Sequence, residues 1–133
     1  MPKEKILIID DEKDLVKLVR EILEQEDFEV SDAYDGEEGL RKAISEIPDL
    51  ILLDIKMPGL NGFQVLERLK MDKTISHIPV VMLTTSVFRQ DRDKAFDLGA
   101  VDYVIKSLAG FELGERIRKI LRHCFEHKDN TGR

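Results

Sequence analysis

The chain has 133 residues, and 27 acidic against 21 basic side chains leave a net charge of −6. That length suits one domain with a self-sufficient core and argues against a second domain of ordinary size. The acidic balance argues against broad binding to nucleic acid or anionic membrane, which needs a basic face. At 42% apolar and 36% charged residues the composition is that of a globular protein. The single cysteine, Cys124, can form neither an intramolecular disulfide nor a paired-cysteine metal site. It suits a reducing cytoplasm. No apolar run approaches the roughly 18 residues of a membrane span. The few apolar residues after Met1-Pro2-Lys3-Glu4-Lys5 are too short for a signal-peptide core.

The punctuation along the chain is regular. Ile6-Leu7-Ile8-Ile9 is an apolar run that stops at Asp10-Asp11. From Asp14 the period becomes helical, with Leu15, Leu18, Val19, Ile22 and Leu23 on one face. Phe28 to Ala33 alternates, as a weaker strand. Gly36 to Ile47 is helical through Leu40, Ala43, Ile44 and Ile47, and Pro48 ends it. Leu50-Ile51-Leu52-Leu53 is the next apolar run and stops at Asp54. Met57-Pro58-Gly59 reads as a turn. Gly62 to Met71 is helical through Phe63, Leu66 and Leu69. Val80-Val81-Met82-Leu83 follows Pro79 and stops at Thr84. Asp91 to Leu98 is helical, with Gly99 suited to its C-terminal cap. Val101 to Ile105 is the last strand and stops at Lys106. Glu112 to Phe125 is the last helix, with Leu113, Ile117, Ile120 and Leu121 inward, and residues 126–133 read as a polar tail.

Strand and helix thus alternate five times. Continuous apolar strands imply a parallel sheet covered by helices on both faces, an α/β architecture. In such a sheet the carboxyl ends of the strands share one edge, where ligands bind. If the strand order is 2-1-3-4-5, strands 1 and 3 lie about 4.8 Å apart, and Asp10, Asp11 and Asp54 converge. At an effective dielectric of 20, each carboxylate pair near 4 Å costs about 4 kcal/mol. Such a cluster is partly protonated or holds a cation. Hard oxygens with open water positions suit Mg²⁺. Thr84 and Lys106 on the same edge complete a pocket for a dianionic phosphoryl group, with Asp54 as candidate nucleophile. Each residue alone has a plainer reading: helix capping for Asp10-Asp11, a turn for Asp54, a strand end for Thr84, a solvated loop for Lys106. Their coincidence on one edge favours a single site.

Residues 4 to about 124 resemble the receiver domain of two-component response regulators. The resemblance rests on Ile8-Ile9-Asp10-Asp11, the stretch from Pro48 to Gly62, Pro79 to Thr84, Leu98 to Tyr103, and Lys106 followed by Glu112-Leu113. It implies a flavodoxin-like, doubly wound (βα)5 fold with sheet order 2-1-3-4-5, occupying residues 1–125. It implies that Asp54 is a phosphoacceptor fed by a sensor histidine kinase or a histidine phosphotransfer protein. Asp11, Asp54 and the backbone carbonyl of Lys56 would bind Mg²⁺ (Mn²⁺ as a substitute), with Asp10 assisting. Thr84 and Lys106 would hold the phosphoryl group, and Tyr103 would be the switch aromatic. The chain would be a cytoplasmic signalling phosphoprotein rather than an enzyme. It would act as a monomer or weak dimer, bind neither membrane nor nucleic acid directly, and signal through the face of helix 4, strand 5 and helix 5.

Several positions depart from the family pattern. Ser107 stands where the family has proline, and a non-proline cis bond costs about 3–4 kcal/mol. The Lys106–Ser107 bond is therefore expected to be trans, with Lys106 placed differently. Thr85 replaces a small residue beside the phosphoryl pocket. Lys56 and Ser86 flank the path of attacking water and are candidates for tuning the lifetime of an acyl phosphate. Val87 and Phe88 either rim a partner surface or pack under their loop. The alternative function is a degenerate receiver serving as a phosphorylation-independent interaction module. A Mg-dependent aspartyl phosphatase fits less well, because its paired carboxylates are spaced by one residue and it needs a cap domain.

Overall fold

In the computed structural model the backbone is described over residues 2–131, with the side chains of 2–107 and 112–124. The strands are β1 (Lys5–Ile9), β2 (Glu29–Ala33), β3 (Leu50–Leu53), β4 (Val80–Thr84) and β5 (Asp102–Ile105). The helices are α1 (Lys13–Gln25), α2 (Gly36–Glu46), α3 (Gly62–Met71), α4 (Arg89–Asp97) and α5 (Ala109–Thr131). A short 3₁₀ turn, Lys106–Leu108, joins β5 to α5. The sheet is parallel throughout, in the order β2-β1-β3-β4-β5. This is the doubly wound order that the resemblance implied.

Every residue of β1 after Lys5, and all of β3 and β4, is buried, because helices cover both faces. Successive side chains point to opposite faces. Leu7, Ile9, Ile51 and Leu53 join one apolar layer with Ala43 of α2, Val65, Leu66 and Leu69 of α3, and Ala95 of α4. Ile6, Ile8, Leu50 and Leu52 join the other, with Val16, Val19 and Leu23 of α1 and Leu113, Ile117 and Leu121 of α5.

Helix starts follow their local chemistry. The Asp35 side chain accepts from the Glu38 N–H at the start of α2. Asn61 and Gln64 form a reciprocal capping box on α3. Two helix faces differ from the periodicity reading. In α1 Val16 is buried together with the expected Val19 and Leu23, while Leu18 is 53% exposed. In α2 the inward surface is Gly36, Gly39 and Ala43, and Ile44 and Ile47 are exposed. A side chain at Gly39 would meet Ile9, so α2 approaches the sheet on its glycines and rolls its isoleucines outward. The last helix continues through Thr131, so the boundary expected between residues 125 and 126 falls inside it. Residues 132–133 of the expected tail lie outside the described chain.

Register sets the site. Ile9 pairs with Leu53, Leu53 with Met82, and Thr84 with Ile105. The ladder continues one step further, with Asp10 N–H donating to Ala33 and Asp54 N–H to Ile9, each at 3.0 Å. Asp10 and Asp54 therefore leave adjacent strands side by side. Gly62 begins α3 directly against that turn: a Cβ there would lie 2.0 Å from the Asp54 carbonyl oxygen. Gly62→Ala is expected to destabilise the fold by about 2 kcal/mol or more, since backbone cannot yield as a side chain can. Urea unfolding of the two proteins measures the difference.

Candidate functional site

Four side chains close over the carboxyl edge of the sheet. Asp54 is buried; one carboxylate oxygen accepts the Ile55 N–H at 2.8 Å and the other lies 3.3 Å from Lys106 Nζ. Asp10 is equally buried; its Oδ1 accepts the Glu12 N–H at 2.9 Å and its Oδ2 lies 3.0 Å from the same ammonium. Glu12 reaches in from solvent and meets Lys106 at 2.6 Å. The Lys106 side chain is only 6% exposed. Its stem spans from the end of β5 to the turn after β1, as its length allows. Among the described residues no peptide bond is cis, so Lys106–Ser107 is trans as expected. Lys106 reaches Asp54 all the same.

The charges shift one another. Burial pushes the Asp10 carboxyl up to about 6; the Asp54 charge adds to this, and the Glu12 N–H and Lys106 oppose it. Burial alone would push the Lys106 ammonium down. Its bonds to Glu12 and Asp10, with the Asp10 and Asp54 charges, overcome that and hold it above the ordinary lysine value.

The structure does not place Asp11 with the others. Carboxylate oxygens of Asp10, Glu12 and Asp54 lie within 4.8 Å of one another, and Asp11 is exposed outside that group. The Asp10 turn explains this. By accepting the Glu12 N–H, Asp10 closes a tight turn that brings residue 12 back to its side, while residue 11 is exposed. Glu12 was missed in the sequence because it reads as the first polar residue of a helix. Its adjacency to the acidic pair was the available signal. The gathered donors are all carboxylate oxygens, a set that fits a hard divalent cation such as Mg²⁺.

The neighbouring loop is built around β4. Thr84 is buried, and its Oγ1 accepts the Ser86 N–H at 3.2 Å. The Ser86 hydroxyl donates to Asp91 at 2.5 Å. Tyr103, partly buried against the core, donates its hydroxyl to the Ser86 carbonyl at 3.0 Å. Burial raises its phenol above the ordinary value. Asp91 had only looked like the start of a helix. Lys56 and Thr85 are exposed. Val87 and Phe88 are 75% and 63% exposed, so they do not pack beneath the loop.

The sequence description of the response regulator receiver domain matches residues 6–118. The chain belongs to that family. It is 42% identical over 118 residues to response regulator PleD of Caulobacter vibrioides, covering 89% of this chain and 26% of the relative. It is 41% identical over 118 residues to the alkaline phosphatase synthesis transcriptional regulatory protein PhoP of Bacillus subtilis, covering 89% and 48%. The chain thus spans about a quarter to a half of the length of these relatives. A CheY-like receiver domain protein from Methanospirillum hungatei superposes with a TM-score of 0.88 at 29% identity, covering 95% of this chain and 99% of that one. No helix among the described residues is long and apolar enough to cross a membrane.

A carboxyl whose pKa is higher folded than unfolded contributes stability that is present below its unfolded value and lost as pH rises through the folded one. For Asp10 that window runs from 3.8 to about 6 in the metal-free receiver. Asp10→Asn is therefore expected to be more stable than wild type above that window, by about 1–3 kcal/mol, with the advantage vanishing near pH 4. Thermal melts in a chelating buffer across this range measure it.

Proposed function

We propose that Asp54 accepts a phosphoryl group from a phosphohistidine on a sensor histidine kinase or a histidine phosphotransfer protein. The observation that carries this reading is the Asp54 carboxylate itself. It is buried at the carboxyl edge of the sheet, with one oxygen on the Ile55 N–H and the other on Lys106. A carboxylate oxygen of Asp54 attacks phosphorus, the P–N bond breaks, and its electron pair returns to the imidazole of the donor. An acyl phosphate remains on Asp54. Lys106 neutralises charge on the transferring oxygens, and Thr84 donates a hydrogen bond to one of them. Asp10, Asp11, Asp54 and the backbone carbonyl of Lys56 would hold Mg²⁺ or Mn²⁺, which when bound neutralises the charge that builds on the phosphoryl oxygens.

The output is conformational. The acyl phosphate adds negative charge and acceptor oxygens beside Thr84. Thr84 turning toward it releases the Ser86 N–H that its hydroxyl now accepts, and Tyr103 hangs on the carbonyl of the same residue. The face of α4, β5 and α5, with exposed Val87 and Phe88 beside it, then changes shape for a downstream protein. A near-complete switch requires about 5.5 kcal/mol of differential stabilisation. A few charge-assisted bonds supply that scale. Lys56 and Ser86 set the lifetime of the acyl phosphate. The receiver works in the cytoplasm, as a signalling module rather than an enzyme turning over substrate.

Acetyl phosphate or beryllofluoride should modify the wild type only with Mg²⁺ present, and Asp54→Ala should not be modified at all; intact-mass measurement and NMR read the two reagents. Lys106→Ala should slow phosphorylation by about two orders of magnitude, the scale of losing one preorganised charge donor. Absence of a Mg-dependent, Asp54-dependent product would leave the interaction-module reading. Lys56→Ala and Ser86→Ala should each alter the autodephosphorylation rate, followed by the decay of the phosphorylated mass. Unchanged decay in both removes them from that role.

A further inference from the structure

Lys106 is contested. One ammonium serves Asp10, Asp54 and Glu12, and the shortest of the three contacts is to Glu12. Asp10 and Asp54 are buried beneath it, whereas the Glu12 side chain is 57% exposed and comes from the solvent side. Glu12 is also free of the usual duty of its position. It occupies the N-cap of α1, where Ser, Thr, Asp or Asn is preferred, and its side chain makes no capping bond. The backbone delivers it instead: the Asp10 side chain takes the Glu12 N–H and turns residue 12 over the edge of the sheet. The carboxylate then bridges to a residue from the far end of the fold, after β5.

We infer that Glu12 is a positioning residue that holds Lys106 on the β1 side of the pocket until the site is charged. The inference rests on the reading of Asp54 as phosphoacceptor. The lysine stands among three carboxylates whose oxygens lie within 4.8 Å of one another, and two of them, Asp10 and Asp54, are among the proposed ligands of a divalent cation. Cation loading must move the ammonium out of that group, and phosphoryl transfer must move it toward the phosphoryl oxygens. Glu12 opposes both motions. It takes no part in bond making or breaking, so its effect is on how readily Lys106 is released. The scale is that of a half-exposed ion pair, a severalfold change and not an all-or-none one.

Two substitutions separate a tether from a mere nearby charge. Glu12→Gln keeps the length and removes the charge. Glu12→Asp keeps the charge and shortens the reach to Lys106. As a tether, both variants release the lysine. Both should be phosphorylated by acetyl phosphate about threefold faster than wild type at saturating Mg²⁺, from one ion pair of this exposure. Calorimetric titration with Mg²⁺ alone should show Glu12→Asp binding more tightly than wild type, because the competing ammonium leaves more readily and the charge remains. Wild-type rates in both variants overturn the inference. So does a Glu12→Asp protein with wild-type rate and wild-type Mg²⁺ affinity, whatever Glu12→Gln does, since a remote charge would behave that way. Labelled wild type with indifferent variants removes the tether alone; wild type that takes no label at Asp54 removes the functional reading with it.

Discussion

Carboxylates brought together at the end of a parallel sheet require a cation, and here one ammonium supplies it. Asp10 and Asp54 are buried side by side because β1 and β3 are neighbours in register. Two buried like charges are costly unless compensated. Lys106 compensates them from the end of β5, two strands from β3 on the same edge, and Glu12 joins from the rim. The arrangement is self-consistent but not at rest electrostatically, since Asp10 remains well above an ordinary carboxyl despite its lysine. That residual cost is one that a bound divalent cation would relieve.

The second connected unit lies one strand away. Thr84, Ser86, Asp91 and Tyr103 form a chain of hydrogen bonds from the end of β4 to the start of α4 and the face of β5. Ser86 is its hinge point, bonded through its N–H, its hydroxyl and its carbonyl. A displacement of Thr84 would therefore act on a loop whose other fastenings reach the exposed surface. Val87 and Phe88 sit on that surface. The buried edge of the sheet and the start of α4 are joined by a few bonds rather than by a long path.

Much of this was legible in the residues. The apolar runs ending in Asp10, Asp54, Thr84 and Lys106 marked the carboxyl edge of the sheet, because a strand covered by helices on both faces stays apolar until it leaves them. Helix faces were less legible. Leu18, Ile44 and Ile47 fall on plausible apolar stripes, yet they are exposed. The glycines of α2 decide otherwise: with no side chain to hold it off, Gly39 lets the helix lie directly on Ile9. Periodicity counts apolar residues and cannot weigh a close approach made by having none. Glu12 and Asp91 were hidden for a related reason. Acidic residues at a helix start have a local explanation, which conceals a partner distant in sequence.

The sequence by itself determined the alternation of strand and helix, the parallel sheet and the residues that reach its carboxyl edge. Those follow from local periods and from where apolar runs end. Only the tertiary structure decided which carboxylates meet. Asp11 and Glu12 are adjacent and both acidic, and nothing in their order separates them. In the fold the Glu12 N–H bonds to Asp10 and the Glu12 carboxylate meets Lys106, while Asp11 is exposed outside that group. That choice depends on a lysine from the end of β5, placed there by the order of strands and not by any neighbour in sequence.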